Sequence, residues 1–276
     1  MRIEQRNNIR INEAVSPADG ANTATIVFAH GFGCDQTMWR YLEPMFRDRY
    51  RTVLFDLVGC GNSDLSAYDF DSYTSLHAHA GDLLQVIKAV GDGPVICIGH
   101  SVSSMTALLA SIAEPQRFAA QIMLAPSPCY IDDPDSNYHG GFSRADIDDL
   151  LGAMDSNYLG WAGTMAPAIM GAPEQPALGQ ELAHSFCRTD PTIALHFART
   201  TFLSDHRADL PRNTTPALIV QCDDDFIAPM PVGDYLRAHL PHSTLQVIEN
   251  MGHCPHMSAP QACHAPIRAF LDGLHL

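Results

Sequence analysis

The chain has 276 residues, enough for one sizeable core and near the upper end for a single domain, and 16 basic against 31 acidic residues leave a formal net charge of −15. Such a surface repels nucleic acid and anionic membrane, and the single lysine, Lys88, on the polar side of an expected helix, leaves a Schiff-base mechanism almost without a candidate. Residues 1–10 are polar, without the apolar stretch of a signal peptide, and no later run could span a bilayer, so the expected address is cytoplasmic.

Eight cysteines are scattered over the chain with no Cys-x-x-Cys pair and read as reduced thiols. Residues 2–12 alternate loosely, as a first hairpin would, and 16–22 form a turn-rich break. Residues 25–29 are a short apolar, β-branched run, read as an interior strand. It leads into His30-Gly31-Phe32-Gly33, where two glycines let the backbone turn sharply enough to aim the Phe32 N–H into a cavity. A second strand, 52–57, ends in a glycine-rich loop through Asp64 whose role reads as structural. Residues 73–90 carry Leu76, Leu83, Val86, Ile87 and Val90 at helical spacing, with His77 and His79 expected on the surface.

Strand 94–99 then meets helix 102–113 at Gly99-His100-Ser101-Val102-Ser103. A serine at a tight strand-to-helix junction is the setting of a nucleophile elbow, which thrusts the hydroxyl out at the sheet edge beside the Val102 N–H. Ser103 stands where the usual pattern has a second glycine, and His100 is expected to pack at the elbow rather than take protons. After strand 120–125 the texture changes. Residues 130–202 hold helical stretches without a strand and read as a lid inserted into a core of 1–129 and 203–276. Phe142, Trp161, Met165 and Phe202 are its candidate pocket residues, with Phe32 and His100 from the core; the alternative is that the lid's bulky side chains only hold its helices together. Strands at 216–222 and 243–249, with helices at 231–240 and 260–274, complete an alternation that predicts a mostly parallel central sheet covered by helices on both faces.

A serine hydroxyl needs a base to take its proton, and the base needs an acid to fix its tautomer. The serine, acid, histidine order of α/β hydrolases is met by Ser101, Asp225 and His253, each just after an expected strand. Asp223 and Asp224 rival Asp225, which is preferred as the last acid before an apolar run; His256 and His264 rival His253. His253, Cys254, His256 and Cys263 could be drawn as a zinc cluster, but their spacing matches no common structural zinc site, and neither metal nor cofactor is expected.

Gly31-Phe32-Gly33-Cys34-Asp35-Gln36, the elbow, Ser127-Pro128-Cys129-Tyr130, Ser204-Asp205-His206-Arg207, Gln221-Cys222 with Asp225, and the run from Gly252 to Ser258 together resemble the RsbQ-like hydrolases of bacterial stress signalling and, less closely, the plant karrikin and strigolactone receptors. The likeness spans nearly the whole chain. It implies an α/β-hydrolase fold, a four-helix lid over a mostly hydrophobic cavity, a triad at Ser101, Asp225 and His253, and oxyanion donors at Phe32 and Val102. Ser103 is similar to the elbow of the plant receptors. The expected activity is carboxylesterase-like cleavage of an ester or lactone of a small to medium apolar molecule. The alternative is a ligand sensor with slow hydrolysis that regulates a partner, which the resemblance suggests is a PAS-domain phosphatase. A lyase or cofactor-free oxygenase is compatible with the same triad; a dehalogenase would carry aspartate at position 101.

Overall fold

A seven-stranded sheet in the order β1-β3-β2-β4-β5-β6-β7 forms the centre of the computed structural model, which describes residues 1–14 and 24–274. The strands are β1 (Arg10–Asn12), β2 (Thr25–Ala29), β3 (Arg51–Phe55), β4 (Val95–His100), β5 (Phe118–Leu124), β6 (Ala217–Asp224) and β7 (Ser243–Met251). Only β1 runs antiparallel to its neighbour; all other pairings are parallel.

Because successive side chains point to opposite faces, each central strand feeds two cores. Ile26, Phe28, Ile96, Ile98 and Ile122 face one layer, and Val27, Cys97, Met123 and Ile219 face the other. The second layer is closed by α2 (Leu76–Val90), α3 (Val102–Ala113) and α8 (Met230–His239). The first is covered by α9 (Pro255–Ser258), α10 (Pro260–Gly273) and four helices inserted between β5 and β6. These are α4 (Arg144–Ser156), α5 (Tyr158–Met170), α6 (Pro176–Arg188) and α7 (Pro191–Phe202). Three of them start with side-chain caps that satisfy free N–H groups: Ser143 with Asp146 makes a capping box on α4, Asn157 caps α5, and Asp190 followed by Pro191 starts α7. Among the described residues no helix is long and apolar enough to cross a membrane.

Two expectations are corrected. The amino terminus is not a hairpin but a single turn of helix, α1 (Ile3–Arg6), followed by the lone strand β1. Arg6 explains the change, since its guanidinium reaches Asp82 of α2 and Tyr73 OH, each at 2.9 Å, and pins the segment onto the helix layer. His79 is not on the surface: it is 1 % exposed, with its ring 4.5 Å from Phe197 and 4.8 Å from Tyr73, because α7 covers the first turns of α2. The expected turn at 16–22 lies outside the described residues.

Candidate active site

The parallel strands β4, β6 and β7 all end at the same sheet edge, and Ser101, Asp225 and His253 follow those ends by one or two residues. Ser101 sits at φ 54° and ψ −124°, a conformation L-residues adopt only when their surroundings enforce it. The enforcement is visible. Its N–H is held by Leu124 C=O at 2.9 Å, and α3 begins so close to β4 that a Cβ on Gly99 would lie 2.6 Å from Ser103 C=O. Ser103 is accommodated because its hydroxyl donates to His30 C=O at 2.5 Å, which fastens the elbow to the glycine loop.

His253 joins the other two. Its Nδ1 lies 2.7 Å from Asp225 Oδ2 and its Nε2 lies 2.7 Å from Ser101 Oγ. The second carboxylate oxygen of Asp225 accepts the N–H groups of Ile227 and Ala228 at 2.9 and 3.2 Å, so the acid is fixed and can accept the imidazole Nδ1–H. That leaves Nε2 with a lone pair facing the serine hydroxyl. Asp223 and Asp224 are exposed, Asp223 accepting the Asn250 N–H at 2.8 Å, whereas Asp225 is 4 % exposed. His256 lies fully buried between Trp39 and His100, and His264 packs against Phe46, so neither rival histidine reaches the serine. No group of three or more His, Cys, Asp or Glu side chains among the described residues is placed to hold a metal ion.

Among the described residues, no protein group accepts from the N–H groups of Phe32, at the glycine loop, and Val102, at the first turn of α3. The loop is held from behind. Leu57 N–H donates to His30 Nε2 at 3.0 Å, so the opposite ring nitrogen carries the proton and donates to Gly31 C=O at 2.9 Å; burial lowers the pKa of this ring and keeps it neutral. His100 supports the His253 loop, its Nε2–H donating to His253 C=O at 2.7 Å, and burial holds it far below the usual histidine range.

The cavity above Ser101 is apolar and small, about 40 Å³. Phe32, His100 and Phe202 line it, but Phe142, Trp161 and Met165 do not. Trp161 is stacked between Tyr158 and Phe186, at 5.9 and 5.5 Å, and so backs the wall rather than forming it. Met165 lies one helical turn farther from the sheet edge than Ile169, which does reach the cavity. Phe142 is held at the base of the lid, where its backbone bridges Ile131.

Sequence reasoning missed Tyr130, Ile169, Leu182, Phe186 and Ile227, together with Cys34 and Cys254. Tyr130 and Ile227 could have been found, since both follow strand ends closely; the lid residues depend on helix packing that no local pattern encodes. Burial pushes the Cys34 and Cys254 thiols up, so they act as apolar wall. Burial also pushes the Tyr130 hydroxyl up to about 12, against the pull of its contact with Ser101.

A model of the alpha/beta hydrolase family matches residues 26–265. The chain is 40 % identical over 243 residues to karrikin insensitive 2 receptor IA of Petunia hybrida, covering 88 % of each chain. It is 37 % identical over 243 residues to strigolactone esterase RMS3 of Pisum sativum, covering 88 % of this chain and 90 % of that one. Among solved structures, the hydrolase olei00960 of Oleispira antarctica superposes with a TM-score of 0.92 at 40 % identity, over 98 % of this chain and 96 % of that one.

Proposed function

Because the chain belongs to the alpha/beta hydrolase family, we propose that it is a serine hydrolase that cleaves an ester or lactone through an acyl-enzyme. Ser101 Oγ attacks the carbonyl carbon while His253 Nε2 takes its proton, and Asp225 holds the resulting imidazolium. The Phe32 and Val102 N–H groups receive the charge that develops on the carbonyl oxygen. His253 then returns the proton to the leaving alkoxide, which departs as the alcohol. A water molecule, deprotonated by the same nitrogen, releases the acyl group as the carboxylic acid. The observation that carries this reading is the unbroken relay of two 2.7 Å contacts from hydroxyl to imidazole to carboxylate.

The test is turnover of 4-nitrophenyl acetate by the wild type and by Ser101→Ala, with circular dichroism to show that both are folded. The substitution is expected to lower kcat by a factor of about 10⁴ or more. A variant that keeps most of the activity removes Ser101 from the mechanism.

A second reading has its own observation, the 40 % identity to a protein named as a receptor. In this reading slow hydrolysis, or binding alone, reshapes the lid so that a partner protein docks. Very slow multiple turnover together with ligand-dependent capture of a phosphatase supports the sensor; rapid turnover of many esters supports a metabolic esterase.

A further inference from the structure

The triad cavity is too small for most esters. At about 40 Å³ it holds roughly three or four water-sized groups, whereas pockets for small molecules usually measure about 300–1,000 Å³. A second cavity of about 230 Å³ adjoins it, and the two share Cys34 and Leu182 as walls. Its other boundaries are the core turn that carries Asp35, Thr37 and Met38, and helix α6 with Glu181, His184 and Arg188. Thr37, His184 and Arg188 are exposed at the rim, so this cavity opens to solvent.

The two cavities differ in chemistry. Around the triad the walls are mostly aromatic and aliphatic, broken by the Tyr130 and Thr201 hydroxyls, whereas the outer cavity adds hydroxyl, imidazole and charged groups to the apolar walls of Cys34, Met38, Leu182 and Met257. Those charges are already matched: Arg188 pairs with Asp35, and Glu181 pairs with Arg40. Asp35 also accepts the Thr37 N–H at 2.8 Å and its hydroxyl at 2.5 Å, and Ser185 donates to Gly33 C=O at 2.9 Å. A charged guest would have to displace one side of an existing ion pair, while a neutral hydroxyl or ether oxygen can hydrogen-bond to the rim without breaking one.

We propose that the outer cavity is a substrate subsite: the reacting ester and a short apolar acyl group lie against Ser101, and a neutral polar remainder of the same molecule passes Leu182 to occupy the cavity rimmed by Thr37 and His184. This rests on the hydrolase reading and adds to it the class of substrate, an uncharged ester with one small apolar end and one oxygen-rich end.

The experiment compares methyl acetate, 2-(2-hydroxyethoxy)ethyl acetate and hexyl acetate, the last two of equal length, by pH-stat titration. The wild type is expected to favour the glycol ester over both others by about tenfold or more in kcat/KM, expressed through KM. Thr37→Trp and His184→Trp, which fill the outer cavity from opposite rims, should each abolish the preference. Equal use of the hexyl and glycol esters, or a preference that survives both substitutions, overturns the proposal. If the wild type hydrolyses none of the three but turns over 4-nitrophenyl acetate, the proposal is overturned and the hydrolase reading stands; if it turns over neither, the hydrolase reading fails, and the subsite is judged by saturation-transfer NMR of the glycol ester. Signals from its hydroxyethoxy methylenes that appear with Ser101→Ala and vanish when Thr37→Trp is added support the subsite; their absence, or their persistence, overturns it.

Discussion

Acid should destabilise this protein well before its carboxylates protonate, because two fully buried histidines have nothing to accept or share a proton. His79 lies between Tyr73 and Phe197, and His256 between Trp39 and His100; none of their four ring nitrogens has a hydrogen-bond partner among the described residues. Burial lowers both pKa values to about 3, against 6.5 when exposed. The folded state therefore binds fewer protons than the unfolded chain between those two values, and stability must fall as pH drops through that window. Between pH 7.5 and 5.5 the unfolded chain gains about 1 to 2 kcal/mol for each such residue, so about 3 kcal/mol for the pair, a large share of the ~5–15 kcal/mol typical of a domain. His30 and His100 push the same way. Carboxylates held low, such as Asp133 and Asp146, keep their contribution until the pH approaches the ordinary value of 3.8 and then lose it, so they do not mask the effect. Urea unfolding at the two pH values measures it, and His79→Phe and His256→Phe should each remove about half of the pair's share. A wild type equally stable at pH 7.5 and 5.5, or variants that lose as much as the wild type, would refute the reasoning.

Two further outcomes follow from the support around the base. His100→Gln keeps an N–H donor near the His253 carbonyl and should hold kcat within a few-fold, whereas His100→Leu loses it and should lower kcat by about tenfold or more with little change in KM, as steady-state kinetics would show. Gly252→Ala places a Cβ 2.2 Å from Met170 C=O at a φ of 92°, so thermal unfolding should show a loss of about 2 kcal/mol or more, with activity falling further than the folded fraction.

What was legible in the sequence is what one residue or one strand decides. The apolar runs of β2 and β4 give buried parallel strands, and α3 runs over the same residues that its pattern marks out, 102–113. Ser101, Asp225 and His253 could be named because strands that point the same way deliver whatever follows them to one edge. Most of the lining that the inserted helices supply was not legible, for the opposite reason. Trp161 and Phe186 are both large, apolar and helical, and only the stack between them decides that Phe186 faces the cavity and Trp161 backs it. His79 was misread on similar grounds, since a histidine beside a helix start is polar in sequence, and its burial depends on α7, more than a hundred residues later.

The same packing decides how a substrate could enter. His253 N–H donates to Ile169 C=O at 2.8 Å, and Gly171 and Gly252 approach so closely that a Cβ on either would strike the other's backbone. Helix α5 is thus the seat of the loop that carries His253, and swinging it away would pull His253 out of reach of Ser101. Helix α6 cannot leave alone either, because Gly179 fits against Pro167 of α5 and Phe186 stacks on Trp161. Opening the lid as a rigid body would therefore dismantle the triad that it covers. A rotation of the Leu182 side chain costs far less, since aliphatic side chains exchange rotamers without moving backbone, and Leu182 lines both the solvent-facing cavity and the one above Ser101. A substrate that spans both cavities past Leu182 would therefore leave the relay from Ser101 to Asp225 intact, as the proposed chemistry requires.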